Sequence, residues 1–278
     1  RDLHLIARRQ RQMCIRDRGH TYTKHLLAAE PQGDPPISDV SRPVVVEAQD
    51  LKVWFPIRRG VLRRTSGHVK AVDGATISVR EGETLGVVGE SGSGKTTLGM
   101  ALLRLLPSTG QIQFEKTNIH GWENRKLRPL RRQMQIVFQD PFSALSPRMS
   151  VRQIIEEGLT VHDLGGDANS RRQLVAEILN EVGLNTEDMD RYPHEFSGGE
   201  RQRICIARAM ILKPRFLVLD EPTSALDLSV QAQIVDLLRK LQDRYRLAYL
   251  FISHDLRVVR ALANQVLVMQ QGKVIEHG

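Results

Sequence analysis

The sequence predicts an α/β fold built around a parallel sheet. Four short apolar segments read as strands, namely Glu83–Gly89, Phe216–Asp220, Leu247–Ser253 and Gln265–Gln270. Helical patterns separate them, at about Lys95–Leu106, Val230–Arg244 and Leu256–Ala263. Strands that alternate with helices indicate a parallel sheet covered by helices on both faces. A length of 278 residues with 41% hydrophobic content is enough to bury such a core.

Two further regions surround this framework. Val44–Val53 and Lys70–Val79 carry alternating β-branched residues and predict an early β-layer, with a basic loop at Arg58–Gly67 between them. Val151–Val182 is predicted to be helical, most clearly in its amphipathic part RRQLVAEILNEV.

The N-terminal part is predicted to lie outside the domain. Residues 1–19 follow neither a helical nor a strand period, and we interpret them as disordered or non-native. Their six Arg and two Asp account for half of the net charge of +8, so the rest of the chain gives no reason to expect nucleic-acid binding. Residues 20–43 read as the tail of an upstream domain followed by a Pro-rich linker, and a domain starts near Val44.

Composition restricts the class of protein further. Cys14 and Cys205 lack the C-x-x-C spacing of a zinc or redox site, and two unpaired thiols are typical of a reducing cytoplasm. No apolar run reaches the length needed to cross a bilayer, and no signal-peptide pattern follows the N-terminal arginines.

The most specific motif is GESGSGKTT, which lies between a predicted strand and a predicted helix. It matches G-x-x-x-x-G-K-[ST], whose backbone N–H groups surround phosphates at the positive end of a helix. Lys95 would reach the β and γ phosphates, and the Thr96 hydroxyl would bind Mg²⁺. A Gly-rich turn without a ligand is the alternative. The predicted nucleotide contacts are Gly89, Ser91, Gly92, Ser93, Gly94, Lys95, Thr96 and Thr97.

The segment FLVLDEP ends an apolar strand in two adjacent acids. The strand would deliver Asp220 to the carboxyl edge of the sheet, where open α/β sheets bind ligands. We expect Asp220 to hold Mg²⁺ through water and Glu221 to be the general base. Phosphoryl transfer requires positioning and charge neutralisation rather than a nucleophilic side chain. A plain surface turn is the alternative interpretation.

The segment FSGGERQR places Ser197, Gly198 and Gly199 before a helical stretch at Glu200–Leu212. A helix N-terminus of this kind can bind an anion. Ordinary N-capping by Ser197 is the alternative.

The acidic strand segment continues as FLVLDEPTSALD (Phe216–Asp227). Together with VFQDP (Val137–Pro141) and FISHD (Phe251–Asp255), these segments resemble the Walker A, Q-loop, signature, Walker B with D-loop, and switch motifs of an ABC transporter nucleotide-binding domain, in family order. The resemblance covers Val44–Gly278. Two departures lie in the signature, where Phe196 replaces the commoner Leu and Glu200 the usual Gln. The implied fold is a P-loop NTPase (RecA-like) core with an ABC-type antiparallel β subdomain and a helical subdomain inserted at about 140–210.

The resemblance also implies roles for the site residues. ATP would be sandwiched between Walker A of one domain and the signature residues Ser197, Gly198, Gly199 and Glu200 of a second. Gln139 would sense Mg²⁺ and the attacking water, so that Thr96, Gln139 and Asp220 form the metal set. His254 would contact the γ-phosphate, Asp227 would communicate across the dimer, and Phe55 would stack on adenine. For Phe55 a core position is the alternative, and for His254 a structural one.

Several segments resemble the oligopeptide and dipeptide importer branch, including QDPFSALSPRMSV and RYPHEFSGGERQR. This implies a permease that contacts Pro141–Pro147 and the following helix, an extracytoplasmic peptide-binding protein, and a peripheral position on the cytoplasmic face of the inner membrane. The segment HTYTKHLLAAEP resembles the tail of such an ATPase domain but precedes the domain here. We therefore hypothesise that the chain is the second half of a tandem ATPase whose own tail is truncated.

A soluble ABC ATPase acting on nucleic acid or ribosomes is the alternative class. Recombination proteins of that class place a coiled coil between Walker A and the signature, yet the interval from Gly94 to Gly198 lacks heptads. Zinc-ligand cysteines of the excision-repair type are also missing from the sequence. A non-hydrolysing ATP-binding regulator conflicts with the presence of Glu221 and His254.

Overall fold

A computed structural model describes residues 39–59 and 64–278. Its strands are β1 (Val44–Arg59), β2 (Arg64–Arg80), β3 (Thr84–Val88), β4 (Thr109–Phe114), β5 (Thr117–Asn118), β6 (Met134–Val137), β7 (Phe216–Asp220), β8 (Ala248–Ile252), β9 (Gln265–Gln270) and β10 (Lys273–His277). Its α-helices are α1 (Lys95–Leu102), α2 (Asn124–Arg131), α3 (Pro141–Ala144), α4 (Val151–Val161), α5 (Ala168–Glu181), α6 (Gly198–Met210), α7 (Leu228–Tyr245) and α8 (Leu256–Leu262). Two 3₁₀ turns, Thr186–Asp190 and Pro193–Glu195, precede α6.

The strands form two sheets. The central sheet has the order β10-β9-β3-β8-β7-β6, in which β9, β3, β8, β7 and β6 run parallel and β10 is antiparallel to β9. The second sheet is antiparallel, with the order β2-β1-β4-β5. This arrangement confirms the predicted combination of a parallel core and an antiparallel β-layer.

The central strands are buried on both faces, which explains their continuously apolar sequences. Successive side chains of a strand point to opposite sides of the sheet. Leu217 and Leu219 of β7 pack in the core shared with α4–α7, whereas Phe216 and Val218 pack in the core shared with β1, β2 and α1. Both layers are needed to bury β7, so neither the helical part nor the β-layer is an independent addition.

Helices α3–α6 lie between β6 and β7 in the chain and make up the helical region. The α4 helix begins with a capping box in which Ser150 accepts from the Gln153 N–H and the Gln153 side chain accepts from the Ser150 N–H. Its buried residues Ile154, Ile155 and Leu159 pack in one core with α5 and α6.

Several predicted boundaries were wrong. Strands β1 and β2 continue to Arg59 and from Arg64, so the predicted basic loop at Arg58–Gly67 is largely strand. The α1 helix ends at Leu102 rather than Leu106, because Arg104 takes a left-handed conformation with φ 56°. The helical stretch 151–182 is two helices, separated at the glycine pair 165–166.

The predictions for residues 1–19, and for residues 20–43 apart from the last five, lie outside the described residues. Asp39–Arg42 forms a turn closed by the Arg42 N–H and the Asp39 carbonyl, and β1 then starts at Val44. In the part of the chain that the structure describes, no helix combines the length and apolarity required to span a bilayer.

Candidate nucleotide-binding site

The phosphate-binding loop joins β3 to α1 and is held against the rest of the domain by close backbone contacts. Gly94, the residue before α1, has φ 105°, which L-residues with a side chain rarely adopt. A Cβ at this position would lie 2.0 Å from the Ala71 carbonyl oxygen of β2. The Gly272 N–H also donates to the Ser93 carbonyl (3.0 Å). The loop is therefore fixed between β2 and the β9–β10 turn.

Lys95 starts α1 and is almost fully buried, at 6% exposure. Its Nζ donates to the Gly89 and Glu90 carbonyls, both at 2.9 Å, so the ammonium lies inside the loop that the motif forms. Beside it, the buried Ser93 hydroxyl makes no hydrogen bond to any described residue. Buried polar groups normally have a partner. A loop with a buried cation and an unsatisfied hydroxyl fits a polyphosphate.

Thr96 and Asp220 form a pair of oxygen ligands next to this loop. The Thr96 Oγ1 donates to the Asp220 Oδ1 at 2.9 Å, and this contact joins the start of α1 to the end of β7. Burial raises the pKa of Asp220, and the nearby Glu221 adds to that shift, while the Thr96 hydrogen bond and Lys95 oppose it. The protein alone thus stabilises the ionised form of Asp220 poorly, as expected for a carboxylate that binds a cation.

A second polar cluster surrounds the Glu221 carboxylate. Its Oε2 accepts from the Gln139 Nε2 at 3.0 Å and lies 3.1 Å from the His254 Nδ1. Glu221 has φ 46°, an uncommon conformation for a residue with a side chain, and its N–H donates to the Ile252 carbonyl at the end of β8. Residues following three neighbouring parallel strands, β6, β7 and β8, therefore meet at one carboxylate.

Thr96 and all three residues of the Glu221 cluster line one open cleft of about 580 Å³, whereas the predicted residues Gly89, Ser93 and Asp220 are not among its lining residues. The predicted residues that line it are Ser91, Gly92, Gly94, Lys95, Thr96, Thr97, Gln139, Glu221 and His254. Sequence reasoning missed five further lining residues, Val69, Lys70, Ala71, Gln271 and Gly272. Only the Gln271–Gly272 turn carried a local signal in the sequence, because a glycine that follows an apolar strand marks a turn. In the structure a Cβ at Gly272 would lie 2.2 Å from the Lys70 carbonyl oxygen.

Phe55 lies close to this cleft on the neighbouring strand. It pairs across the ladder with Val69, which lines the cleft, and its side chain is 40% exposed. The alternative of a core aromatic is therefore wrong for Phe55. Its exposed ring suits a stacking contact, whose sequence tolerance comes from the π-face that every base presents.

The signature residues do not contribute to the cleft lining. Ser197 caps α6 and accepts from the Glu200 N–H, while the Glu200 carboxylate accepts from the Ser197 N–H (2.8 Å) and hydroxyl (2.7 Å). These bonds to Ser197 lower the pKa of Glu200. Asp227 likewise caps α7 by accepting from the Val230 N–H (3.0 Å) and the Ser229 hydroxyl (2.7 Å). Ordinary capping is thus present at both positions, whatever further role they have.

A family model described as ABC transporter matches residues 72–224, which include the phosphate loop, Gln139, the signature and Glu221. The chain belongs to the ABC transporter family. It is 63% identical over 262 residues to the peptidoglycan transport ATP-binding protein YejF of Agrobacterium fabrum, covering 94% of this chain and 48% of that protein. It is 50% identical to the oligopeptide transport ATP-binding protein AppF of Bacillus subtilis, covering 84% and 71%.

Solved structures agree with this assignment. The chain superimposes with a TM-score of 0.74 on a dimeric ATP-binding cassette in a post-hydrolysis state bound to ADP and Pi. The identity is 25%, and the match covers 84% of this chain and 97% of that cassette. The P-loop core with its β-layer and helical region is therefore the ABC cassette fold. Against the Agrobacterium relative, however, the chain spans only about half the length.

Proposed function

We propose that this chain is the ATP-hydrolysing subunit, or one half of such a subunit, of an ABC importer for peptides or related compounds. The observation that carries the proposal is the position of the Glu221 carboxylate, held between Gln139 and His254 in the cleft that also contains Lys95 and Thr96. Phosphoryl transfer to water depends on positioning and charge stabilisation, and a carboxylate fixed beside the phosphate loop can orient the attacking water.

In the proposed reaction, Lys95 and the loop N–H groups hold the phosphates while Phe55 stacks on the base. Water attacks the γ-phosphorus, the bond to the β–γ bridging oxygen breaks, and the Glu221 carboxylate orients the water and accepts its proton. Gln139 positions that water, and His254 donates to the γ-phosphate. Glu221 is suited to this role because its carboxylate contacts an amide and an imidazole rather than being paired directly with a Lys or Arg in the described part of the chain.

Mg²⁺ fits the residues beside the loop. Within the described residues no group of three His, Cys, Asp or Glu could form a protein cage for a metal. Magnesium is commonly held by one or two carboxylates together with substrate phosphates. Thr96, Asp220 and Gln139 would hold the ion, and when bound it would neutralise charge on the β and γ oxygens.

A second nucleotide-binding domain is the expected partner. The signature residues Ser197, Gly198, Gly199 and Glu200 do not line the cleft of their own chain, so they would be available to the nucleotide of a facing domain, and Asp227 would lie at that junction. Closing and reopening of this pair would move permease subunits docked near Pro141–Pro147 at the cytoplasmic face of the inner membrane.

The relatives support peptides or related compounds as the transported class, because one is a peptidoglycan transport ATP-binding protein and another an oligopeptide transport ATP-binding protein. An extracytoplasmic binding protein would then deliver the solute. The coverage of 48% of the Agrobacterium relative supports a tandem arrangement of two cassettes. The assignment of this chain as the second cassette rests on the tail-like segment HTYTKHLLAAEP that precedes the domain. Nucleic acid is not an expected partner.

The test uses the full-length protein assembled with its permease. Replacing Glu221 with Gln keeps the size of the side chain but removes the base, and we expect ATP turnover and peptide uptake to fall by about a hundredfold or more. Glu276→Gln, an exposed position on β10, is the matched control and should retain wild-type rates. Turnover in the Glu221→Gln protein equal to the control would refute the hydrolytic role. Full ATP turnover without peptide uptake would instead refute the assigned solute class.

A further inference from the structure

Two arginines of the signature helix α6 hold the short helix α3. The Arg208 Nη1 donates to the Ala144 carbonyl at the end of α3 (2.6 Å), and the Arg201 guanidinium lies over the Phe142 ring, 4.0 Å from its centroid. The two arginines are seven residues apart, which places them on the same face of α6, two turns from each other. The α3 helix is therefore attached to α6 at two points.

Arg201 makes a second set of contacts, with the segment that leads into the signature. Its Nε donates to the Pro193 carbonyl (2.7 Å) and its Nη2 to the His194 carbonyl (3.2 Å). One guanidinium thus connects the lead-in segment, the first turn of α6 and an aromatic ring of α3. This combination uses the planar shape and divergent donors of Arg, which Lys lacks.

On the other side, Phe142 is tied to the Q-loop. Asp140 caps α3 by accepting from the Phe142 N–H (2.9 Å) and the Ser143 hydroxyl (2.5 Å). Gln139 is the residue directly before this cap, and its amide donates to the Glu221 carboxylate. A displacement of Phe142 therefore reaches Gln139 through a hydrogen-bonded turn rather than through a loose loop.

We propose that the Arg201–Phe142 contact couples the signature to hydrolysis, by making the position of Gln139 depend on the position of the lead-in segment Pro193–Phe196. The inference rests on the proposed function, since it supposes that a nucleotide held by a facing domain engages Ser197. That engagement shifts the lead-in segment, Arg201 moves the Phe142 ring, and the contact that the Gln139 amide already makes with Glu221 changes with it. Arg201 and Phe142 are positioning residues in this scheme.

The two contacts between α6 and α3 differ in burial, so a substitution at Phe142 can test coupling without unfolding α3. The Arg208 bond to Ala144 is partly buried and anchors α3. The Phe142 ring is 63% exposed, so removing it deletes little buried surface and leaves the Asp140 cap in place. Loss of this ring is therefore expected to change catalysis more than stability.

The experiment compares Phe142→Ala, Phe142→Trp and Arg201→Lys in the full-length protein, measured with and without permease. Without permease we expect Phe142→Ala and Arg201→Lys to lower kcat for ATP about tenfold with KM unchanged, and Phe142→Trp to restore kcat because an aromatic face is present again. Ile275→Ala, which removes an equally exposed apolar side chain on β10, is the control and should leave kcat unchanged.

Three results would overturn the inference. They are an unchanged kcat in Phe142→Ala, a kcat in Phe142→Trp as low as that in Phe142→Ala, and a lowered kcat that appears only in the permease-bound state. The last result would identify Phe142 as a docking residue only. These outcomes differ from failure of the proposed function, in which wild-type protein shows no turnover or Glu221→Gln retains it.

Discussion

The two signature glycines are expected to respond in opposite ways to the same substitution. A Cβ at Gly199 would lie 2.5 Å from the Val230 Cγ1 of α7, about 1 Å short of an ordinary carbon–carbon contact of roughly 3.5 Å. A Cβ at Gly198 would meet only the Leu226 Cδ2, at 3.6 Å. Gly199 is therefore required for packing of α6 against α7, whereas packing within the chain does not require Gly198.

The magnitude follows from overpacking. Inserting a methyl group into a closely packed contact costs about 1–3 kcal/mol, because the β-branched Val230 side chain has few other rotamers to adopt. Replacing Gly by Ala in a helix gains less than about 1 kcal/mol, and less still in the first turn. Gly199→Ala should thus lower the free energy of unfolding by roughly 1–2 kcal/mol, or the melting temperature by about 2–8 °C. Gly198→Ala should leave both unchanged or slightly raised.

Urea unfolding without nucleotide and Mg²⁺ measures this difference, since any ligand of the native state would mask it. Val230→Ala removes the clash, so the double variant Gly199→Ala/Val230→Ala should be more stable than the sum of the single effects predicts, by about 1 kcal/mol or more. Additive effects in this cycle, or equal losses at positions 198 and 199, would refute the packing argument. If Gly198→Ala folds normally yet lowers ATP turnover, the reason for that glycine lies outside its own chain.

Two further predictions use the shifted pKa values. Burial raises the pKa of Asp220 above its ordinary value of 3.8, so ionisation of this carboxyl destabilises the nucleotide-free fold. Asp220→Asn should therefore be more stable than wild type, by a difference in the free energy of unfolding that grows as pH rises from 3.8, while ATP turnover is lost. A difference that shrinks with rising pH in urea titrations would contradict this. Burial raises the pKa of the Cys205 thiol from 9.0 to about 11. In a Cys14→Ser background at pH 8, alkylation of Cys205 should therefore be at least about a hundredfold slower in folded than in urea-unfolded protein. Equal alkylation rates would contradict the burial of this thiol.

Sequence reasoning located the strands that are buried on both faces, because a parallel strand such as β7 is apolar up to its last residue and has no competing pattern. It missed β4, β5, β6 and β10, which are short and partly polar, and α2, whose interior contains Pro129 and whose one buried residue is Leu127. These elements are stabilised by neighbours in space, such as the pairing of β6 with β7. A single-sequence period cannot report such a contact.

The residues of the candidate site also divide into those that a sequence pattern predicts and those that only contacts in space reveal. Residues that act through their own chemistry, such as Lys95 or Glu221, appear in recognisable patterns, and the structure brings them to one cleft. Residues that contribute through the position of their backbone do not appear in such patterns. Ala71 matters because its carbonyl oxygen meets Gly94, and an alanine in a strand carries no signal of that contact. The pairing of Arg201 with Phe142 likewise depends on the relative position of two helices far apart in sequence.

Several locally unfavourable features of this domain lie in or beside the cleft. Within the part of the chain that the structure describes, the buried Lys95 has only carbonyls as hydrogen-bond partners and the Ser93 hydroxyl has none. Asp220 has a raised pKa. Glu221 also adopts a left-handed conformation. Each feature lowers the stability of the nucleotide-free protein, and a magnesium nucleotide would offset the first three by supplying phosphate oxygens to Lys95 and Ser93 and a cation to Asp220. Binding energy at this cleft is therefore already linked to the stability of the segments that contain these residues, which are the loop after β3 and the end of β7.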